Sequence, residues 1–218
     1  MRPELKNRFR KLWLDSGVRT ENRMDYVARE SLEMLYSAPE RHYHTLEHIE
    51  ECLGDFDSAK HLAKDPLALE FAIWYHDVIY DPKAKDNEER SAWFLGSTLK
   101  AAGLYPEFID RTNRLILATK HDYLPRKQDE KLITDIDLAI LGKPDDIYGD
   151  YCFNIWKEYS WAGPEKFGAA RADVLEGFLQ RNGGHIYSTD FFREKYEEMA
   201  VSNITRNLNF AKGLDEDL

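Results

Sequence analysis

The sequence predicts an all-α protein, and two observations support that fold class. Apolar residues recur at helical spacing along most of the chain, as they do at Ile49, Cys52, Leu53 and Phe56. No run of alternating apolar and polar residues is longer than a few positions, which argues against β-strands. We therefore expect a helical protein without a sheet.

Local signals divide the chain into helices. Proline suits the first turn of a helix and glycine the position after its end, so these residues set most of the expected bounds. Asp86 is an expected N-cap, with Glu89 completing a capping box. Residues 125–131 form an expected solvated loop. In chain order we expect helices over 3–16, from Thr20 to before Pro39, from His44 or Thr45 onward, and over 66–80, 86–103, 106–121, 132–141, 146–161, 164–180 and 189–211.

Length and charge limit the classes of partner. The chain has 218 residues and a net charge of −10, from 40 acidic and 30 basic residues. Its length fits one domain, so we expect residues 1–218 to form a single helical domain. An acidic surface repels polyanions, which argues against a nucleic-acid polymer or a membrane as partner. A small anionic substrate stays compatible, because a bound cation reverses the local field.

The cysteine content and the N-terminal segment predict a location in the cytoplasm. Two cysteines, Cys52 and Cys152, cannot form a disulfide framework. The first residues are charged and lack an apolar signal core. The most apolar stretch, residues 67–80, is too short and too polar to cross a bilayer.

A His-Asp dipeptide interrupts that apolar stretch. His76 and Asp77 lie between the apolar runs 71–75 and 78–79. Ionisable side chains are seldom buried unless they are paired or bound to a metal. A divalent cation would neutralise the carboxylate, and imidazole with carboxylate suits a transition metal. The alternative is a His–Asp pair that caps nearby backbone.

Two other segments carry candidate ligands. Asp135 and Asp137 lie among apolar residues and about 200° apart around a helix, so they cannot face the same point. We expect one of them at a metal and the other at a cap, and capping is the alternative role for either. His44 and His48 share a helical face if the helix has begun by His44.

Together these segments resemble the signature of the HD superfamily of metal-dependent phosphohydrolases, which is a His, a later His-Asp dipeptide and a distant Asp on separate helices. The matching residues are His48, His76-Asp77 and Asp137, at spacings of about 28 and about 60 residues that a helical bundle can bring together. The resemblance covers about residues 41–142. It implies an HD-domain helical bundle with additional C-terminal helices. The segments RHYHTLEHI, DNEERSA and DIDLAILG are similar to an uncharacterised bacterial subgroup of predicted hydrolases.

The first segment is also similar to the Tyr-His-Asn-x-x-His motif of cyclic-nucleotide phosphodiesterases. Here Tyr43, His44 and His48 are kept, and Thr45 replaces the Asn. This likeness implies His48 as a metal ligand and His44 as a general acid. In a second register, found in simpler HD members, His44 followed by Thr45 would supply the ligand.

The resemblance implies hydrolysis of a phosphate mono- or diester, with nucleotides among the candidate substrates, by water activated on a divalent metal. The implied ligands are His48, His76, Asp77 and Asp137, with Asp77 also catalytic. Such a set admits Fe, Mn, Co, Ni, Zn or Mg. Candidates to bind the small phosphorylated substrate are Arg41, Lys120, His121 and Arg171; ordinary surface charge is the alternative for the three cations.

The sequence leaves open how many metal ions bind and which reaction, if any, they catalyse. HD enzymes with two fully liganded metals usually carry two further histidines between Asp77 and Asp137, and here only His121 lies there. The resemblance therefore implies one firm site, with any second ion held mainly by Asp77 and water. The alternatives are an HD-fold di-iron oxygenase, a non-catalytic regulatory module with a structural metal, and a helical scaffold without metal. The sequence does not define the oligomeric state.

Overall fold

The structure, a computed structural model, describes residues 1–18 and 23–211. Within these ranges the chain forms helices and no strand, which confirms the all-α fold class. The α-helices are α1 (Pro3–Asp15), α2 (Met24–Tyr36), α3 (Leu46–Ala59), α4 (Pro66–Tyr75), α5 (Asn87–Ala101), α6 (Pro106–Ala118), α7 (Gln128–Asp137), α8 (Asp145–Tyr159), α9 (Pro164–Gln180) and α10 (Asp190–Ala211). The chain divides into two compact units, Met1–Ile133 and Thr134–Leu218, with the division inside α7. The single domain expected from the length stays a prediction.

Helix α4 is the centre of the first unit. Every residue from Ala68 to Tyr75 is buried, and α4 packs against α1, α3, α5 and α6. A helix that is apolar on all sides is stable only inside a core. Aromatic rings of α1 close one side of it, since the Phe9 ring meets Trp74 edge-on with a centroid distance of 5.1 Å.

Helix α4 ends earlier than the sequence suggested. It stops at Tyr75 rather than Tyr80, and His76 and Asp77 lie at the turn that follows. The N–H of Val78 closes this turn on the carbonyl of Tyr75 at 3.1 Å. The apolar pattern continues past the helix because Val78 is also fully buried, so burial alone did not mark the end of the helix.

The second unit holds the segment after Asp137 tightly. Leu138–Gly142 is a buried 3-10 helix that packs against α8 and α10. Its carbonyls are bound by α10 and the residues before it: Asn203 Nδ2 donates to the carbonyl of Leu141 at 2.8 Å, and the Tyr187 hydroxyl donates to that of Leu138 at 3.1 Å. These bonds fix the backbone directly after Asp137.

Three expected boundaries differ from the structure or lie outside it. Helix α7 begins at Gln128, so the expected loop 125–131 is half helical; the carboxylate of Asp129 binds the backbone N–H groups of Lys64 and Asp65. Asp86 is at the N-cap of α5 but its side chain makes no capping bond, and the expected capping box is wrong. The expected start of the second helix at Thr20 lies outside the described residues.

Candidate metal centre

His48 is placed by the first turn of α3. The helix begins at Leu46, and the Thr45 hydroxyl caps it by accepting a bond from the N–H of Glu47 at 3.2 Å. His44 is therefore outside the helix, and the argument from a shared helical face does not apply to it. His48 is buried, with the Tyr43 ring against its own at a centroid distance of 4.7 Å.

His76 and Asp77 are placed by the end of α4. His76 is the C-cap residue of α4, and its Nδ1 lies 2.9 Å from the carbonyl oxygen of Ile73. The turn itself is fixed by Arg41, whose guanidinium donates to the carbonyls of Asp77 at 2.7 Å and Val78 at 2.9 Å. A third bond from Arg41, at 2.9 Å to the carbonyl of His44, connects this turn to the segment before α3.

The histidine and carboxylate side chains converge on one point. The two Nε2 atoms of His48 and His76 are 3.1 Å apart. Asp77 Oδ2 is 3.0 Å from Nε2 of His76 and 3.6 Å from Nε2 of His48. One donor atom from each of His48, His76, Asp77 and Asp137 lies within 4.8 Å of the other three. These four residues could hold a metal ion, as the sequence predicted.

The ring of His76 is oriented as that of a metal ligand would be. Because Nδ1 faces a carbonyl oxygen at 2.9 Å, it carries a proton, and Nε2 is the ring nitrogen that can donate a lone pair to a metal. Nε2 lies 3.0 Å from a carboxylate oxygen of Asp77 and 3.1 Å from Nε2 of His48, so either a ring proton or a bound cation can satisfy the carboxylate. A carbonyl on the far nitrogen of a ligating histidine is also the usual way in which such a ring is oriented.

Asp135 and Asp137 take the two different roles that their angular separation requires. Asp137 is the last residue of α7 and belongs to the group of donors. Asp135 is fully buried and accepts three bonds at the start of α10, from the N–H groups of Ser188 and Thr189 and from the Thr189 hydroxyl, at 2.7 to 2.8 Å. Asp135 is thus the capping residue.

His44 lies beside the histidine pair without belonging to it. Its ring stacks on Tyr80 with a centroid distance of 4.0 Å and is 6.0 Å from the ring of His48. It is partly exposed, whereas His48 is buried. His44 is thus a partly exposed residue beside a buried candidate ligand.

The three predicted substrate-binding residues of the first unit differ from one another in their contacts. Arg41 is buried and its bonds go to backbone carbonyls, as described above. Lys120 forms an ion pair with Glu89, which raises the pKa of the lysine. His121 follows it with a left-handed backbone, at a φ of 59°. Their roles toward a substrate stay predictions.

The structure identifies Glu88 and Cys52 as neighbours of the candidate metal ligands. Burial raises the pKa of Glu88, and the negative charges of Asp77 and Glu89 raise it further, which places this α5 carboxyl in the field of the candidate ligands. Cys52 lies one turn after His48, with its sulfur 3.7 Å from Nε2 of that ring. The four-residue spacing of His48 and Cys52 was the available signal for this contact. Asn87, the neighbour of Glu88, bonds reciprocally with the backbone of Asp81.

Arg171 is a residue of the second unit, on α9. Its Nη2 donates to the Tyr151 hydroxyl at 2.6 Å, and its Cζ lies 5.0 Å from the centroid of the same ring. Of the remaining histidines, His42 and His61 are exposed, and Nδ1 of His185 is 3.7 Å from Glu197.

The fold and the site define an all-helical protein with a candidate metal centre of two histidines and two aspartates. Comparison with known proteins adds no narrower class, because no protein-family model, curated protein or solved structure matches the chain. Across residues 1–18 and 23–211, none of the helices has the length and apolar character needed to cross a membrane.

Proposed function

We propose that this chain is a metal-dependent phosphohydrolase, which binds a divalent ion through His48, His76, Asp77 and Asp137 and cleaves a phosphate mono- or diester. One observation carries the proposal: Nε2 of His76 is 3.0 Å from a carboxylate oxygen of Asp77 and 3.1 Å from Nε2 of His48, so the three groups present ligand atoms to one point. Imidazole and carboxylate groups that converge in this way are typical ligands of a divalent ion.

The reaction class rests on the donor chemistry and on the resemblance to the HD superfamily. A divalent ion held by such ligands lowers the pKa of water to near neutrality and polarises a phosphoryl oxygen. Two imidazoles and two carboxylates suit Fe, Mn, Co, Ni or Zn, and Mg is compatible with the carboxylates. Since His121 is the only histidine between the dipeptide and Asp137, we propose one firmly held ion per chain.

Residues outside the ligand group would bind the substrate and donate a proton to the leaving group. His44, partly exposed beside His48, would donate a proton from its ring to the leaving oxygen, a role that suits imidazole near pH 7. Lys120 and His121 would attract the phosphate from the end of α6. Arg41 would orient Asp77 and His44 through their carbonyls. We propose a small phosphorylated metabolite, with nucleotides among the candidates, as the substrate.

A panel of phosphate esters tests the proposed activity. The full chain would be stripped with a chelator, reloaded separately with manganese, cobalt, zinc, nickel, magnesium or ferrous iron, and assayed with nitrophenyl phosphate, bis-nitrophenyl phosphate, nucleoside monophosphates and cyclic nucleotides. The proposal expects metal-dependent release of phosphate or alcohol by the wild type and its loss in Asp77→Asn. His61→Ala, which changes an exposed histidine, is the matched control and should retain activity.

The same metal-loaded samples also test the alternative functions. Oxygen consumption by the iron-loaded protein without ester hydrolysis would favour the di-iron oxygenase. A bound metal without turnover of any ester would favour a regulatory module. Failure of the stripped protein to take up any of the six metals would contradict the proposal at its first step.

A further inference from the structure

Arg171 in the second unit is an arginine without an acidic partner. Among the described residues, no carboxylate lies within ion-pair distance of its guanidinium; its partners are the ring and hydroxyl of Tyr151. Among the other arginines of this unit, Arg206 forms a two-bond ion pair with Asp145 at 2.7 Å and Arg193 pairs with Asp190, whereas the two buried Nη atoms of Arg181 have no hydrogen-bond partner among the described residues. Arg171 differs from Arg181 because a phenol hydroxyl holds its guanidinium.

The neighbours of Arg171 do not neutralise it. Burial raises the pKa of Tyr151, so the phenol stays neutral at pH 7 although Arg171 opposes that shift. Burial likewise raises the pKa of Cys152, which keeps the nearby thiol neutral. A guanidinium that is partly withdrawn from water and faces only neutral groups is a costly arrangement unless an anion completes it.

Arg171 is partly exposed, and its partner Tyr151 is within electrostatic range of Asp137 in the same unit. Arg171 keeps an intermediate exposed fraction, so an anion from solution can reach it. Tyr151, which accepts its bond, is near enough to Asp137 for that carboxylate to raise the pKa of the phenol further. Within the second unit, then, the phenol that holds the guanidinium of Arg171 is in the electrostatic field of one of the proposed metal ligands.

We propose that Arg171 and Tyr151 form an oxyanion-binding site that takes a phosphate group. The planar guanidinium presents paired N–H donors that match phosphate geometry, and the bond to Tyr151 together with the ring contact fixes its plane. The inference rests on the proposed function for its biological meaning, since it assigns the phosphate of the substrate to this pair. Binding of the anion itself requires neither the metal nor hydrolysis.

Calorimetric titration of the chelator-treated full chain with inorganic phosphate tests the site. Wild type should bind phosphate, and Arg171→Gln should weaken the affinity by about tenfold or more, as expected for loss of charge-assisted hydrogen bonds. Arg206→Gln removes the same charge from a paired, exposed arginine and should bind phosphate like wild type. Tyr151→Phe keeps the ring but removes the hydroxyl that fixes Arg171, and should weaken phosphate binding less than Arg171→Gln does.

Two further measurements keep this inference separate from the proposed function. Arg171→Gln should retain the metal content of the wild type, and His76→Ala should lose metal while it still binds phosphate. If Arg171→Gln does not fold, Arg171→Lys replaces it, since lysine keeps the charge and loses the fork. Equal phosphate affinity in the folded variant and wild type, or no phosphate binding by wild type, would overturn the inference whatever the metal content.

Discussion

The guanidinium of Arg41 donates to the backbone carbonyl of Asp77 at 2.7 Å. The same side chain binds the carbonyls of His44 and Val78, so one buried cation connects the segment before α3 to the turn after α4. Backbone bonding of this kind leaves the carboxylate of Asp77 directed at the two imidazoles. Arg41 thus positions the candidate ligands.

Replacement of Arg41 by lysine should therefore affect stability as well as function. Lysine cannot reach three carbonyls with a planar fork, and we expect Arg41→Lys to lower the free energy of unfolding by about 2–4 kcal/mol. Urea unfolding of the metal-free protein would measure this. An unchanged midpoint with a raised KM would instead indicate that Arg41 binds substrate.

Metal should stabilise the folded chain. An ion that binds only the native state adds about 2.7 kcal/mol at a free concentration one hundred times its Kd. We expect the thermal midpoint of wild type to rise on addition of the preferred metal and fall on chelation. His76→Ala should show neither change, while His61→Ala should show both. A metal-induced shift in His76→Ala as large as in wild type would mean that the ion binds elsewhere.

Asp135 and Asp137 should give opposite results although they are two residues apart. Asp135→Asn replaces a carboxylate that accepts three bonds at the start of α10, and we expect a loss of about 2 kcal/mol in stability, with metal still bound. Asp137→Asn should lose metal affinity with little cost to the metal-free fold. Chemical unfolding and equilibrium dialysis of both variants would separate the roles. Loss of metal from Asp135→Asn alone would reverse the assignment.

Gly142 should tolerate no side chain. A Cβ at this position would lie 2.6 Å from Cβ of Tyr196 and 2.7 Å from its carbonyl oxygen, and the second of these atoms is backbone. We expect Gly142→Ala to destabilise the protein by about 1–3 kcal/mol. Gly149→Ala is the control, because nothing lies within 4 Å of its Cβ position in α8 and alanine favours the helix by about 0.5–1 kcal/mol. Equal effects of the two changes on the unfolding midpoint would contradict the packing of Leu138–Gly142 on α10.

The candidate ligands could be predicted because their chemistry conflicts with their surroundings. His76, Asp77 and Asp137 are ionisable residues within apolar segments, and this conflict together with the order of the motifs predicted the group that the structure brings together. The angular separation of Asp135 and Asp137 also predicted that only one would join the group, although which one depended on the resemblance.

The supporting contacts could not be predicted because they depend on tertiary structure. The end of α4 at Tyr75 is hidden by a buried Val78, which continues the apolar pattern beyond the helix. The role of Arg41 depends on carbonyls about 36 residues away that no local pattern identifies. Glu89 was expected to cap its own helix, and it pairs instead with Lys120 at the end of another.

Elemental analysis of the purified full chain by mass spectrometry shows whether His48, His76, Asp77 and Asp137 hold a metal ion. We expect close to one divalent ion per chain in the wild type and in His61→Ala, and almost none in folded His76→Ala and Asp77→Asn. A wild type that takes up no stoichiometric metal even after reloading, or a His76→Ala variant that keeps it, would show that these residues do not form a metal site.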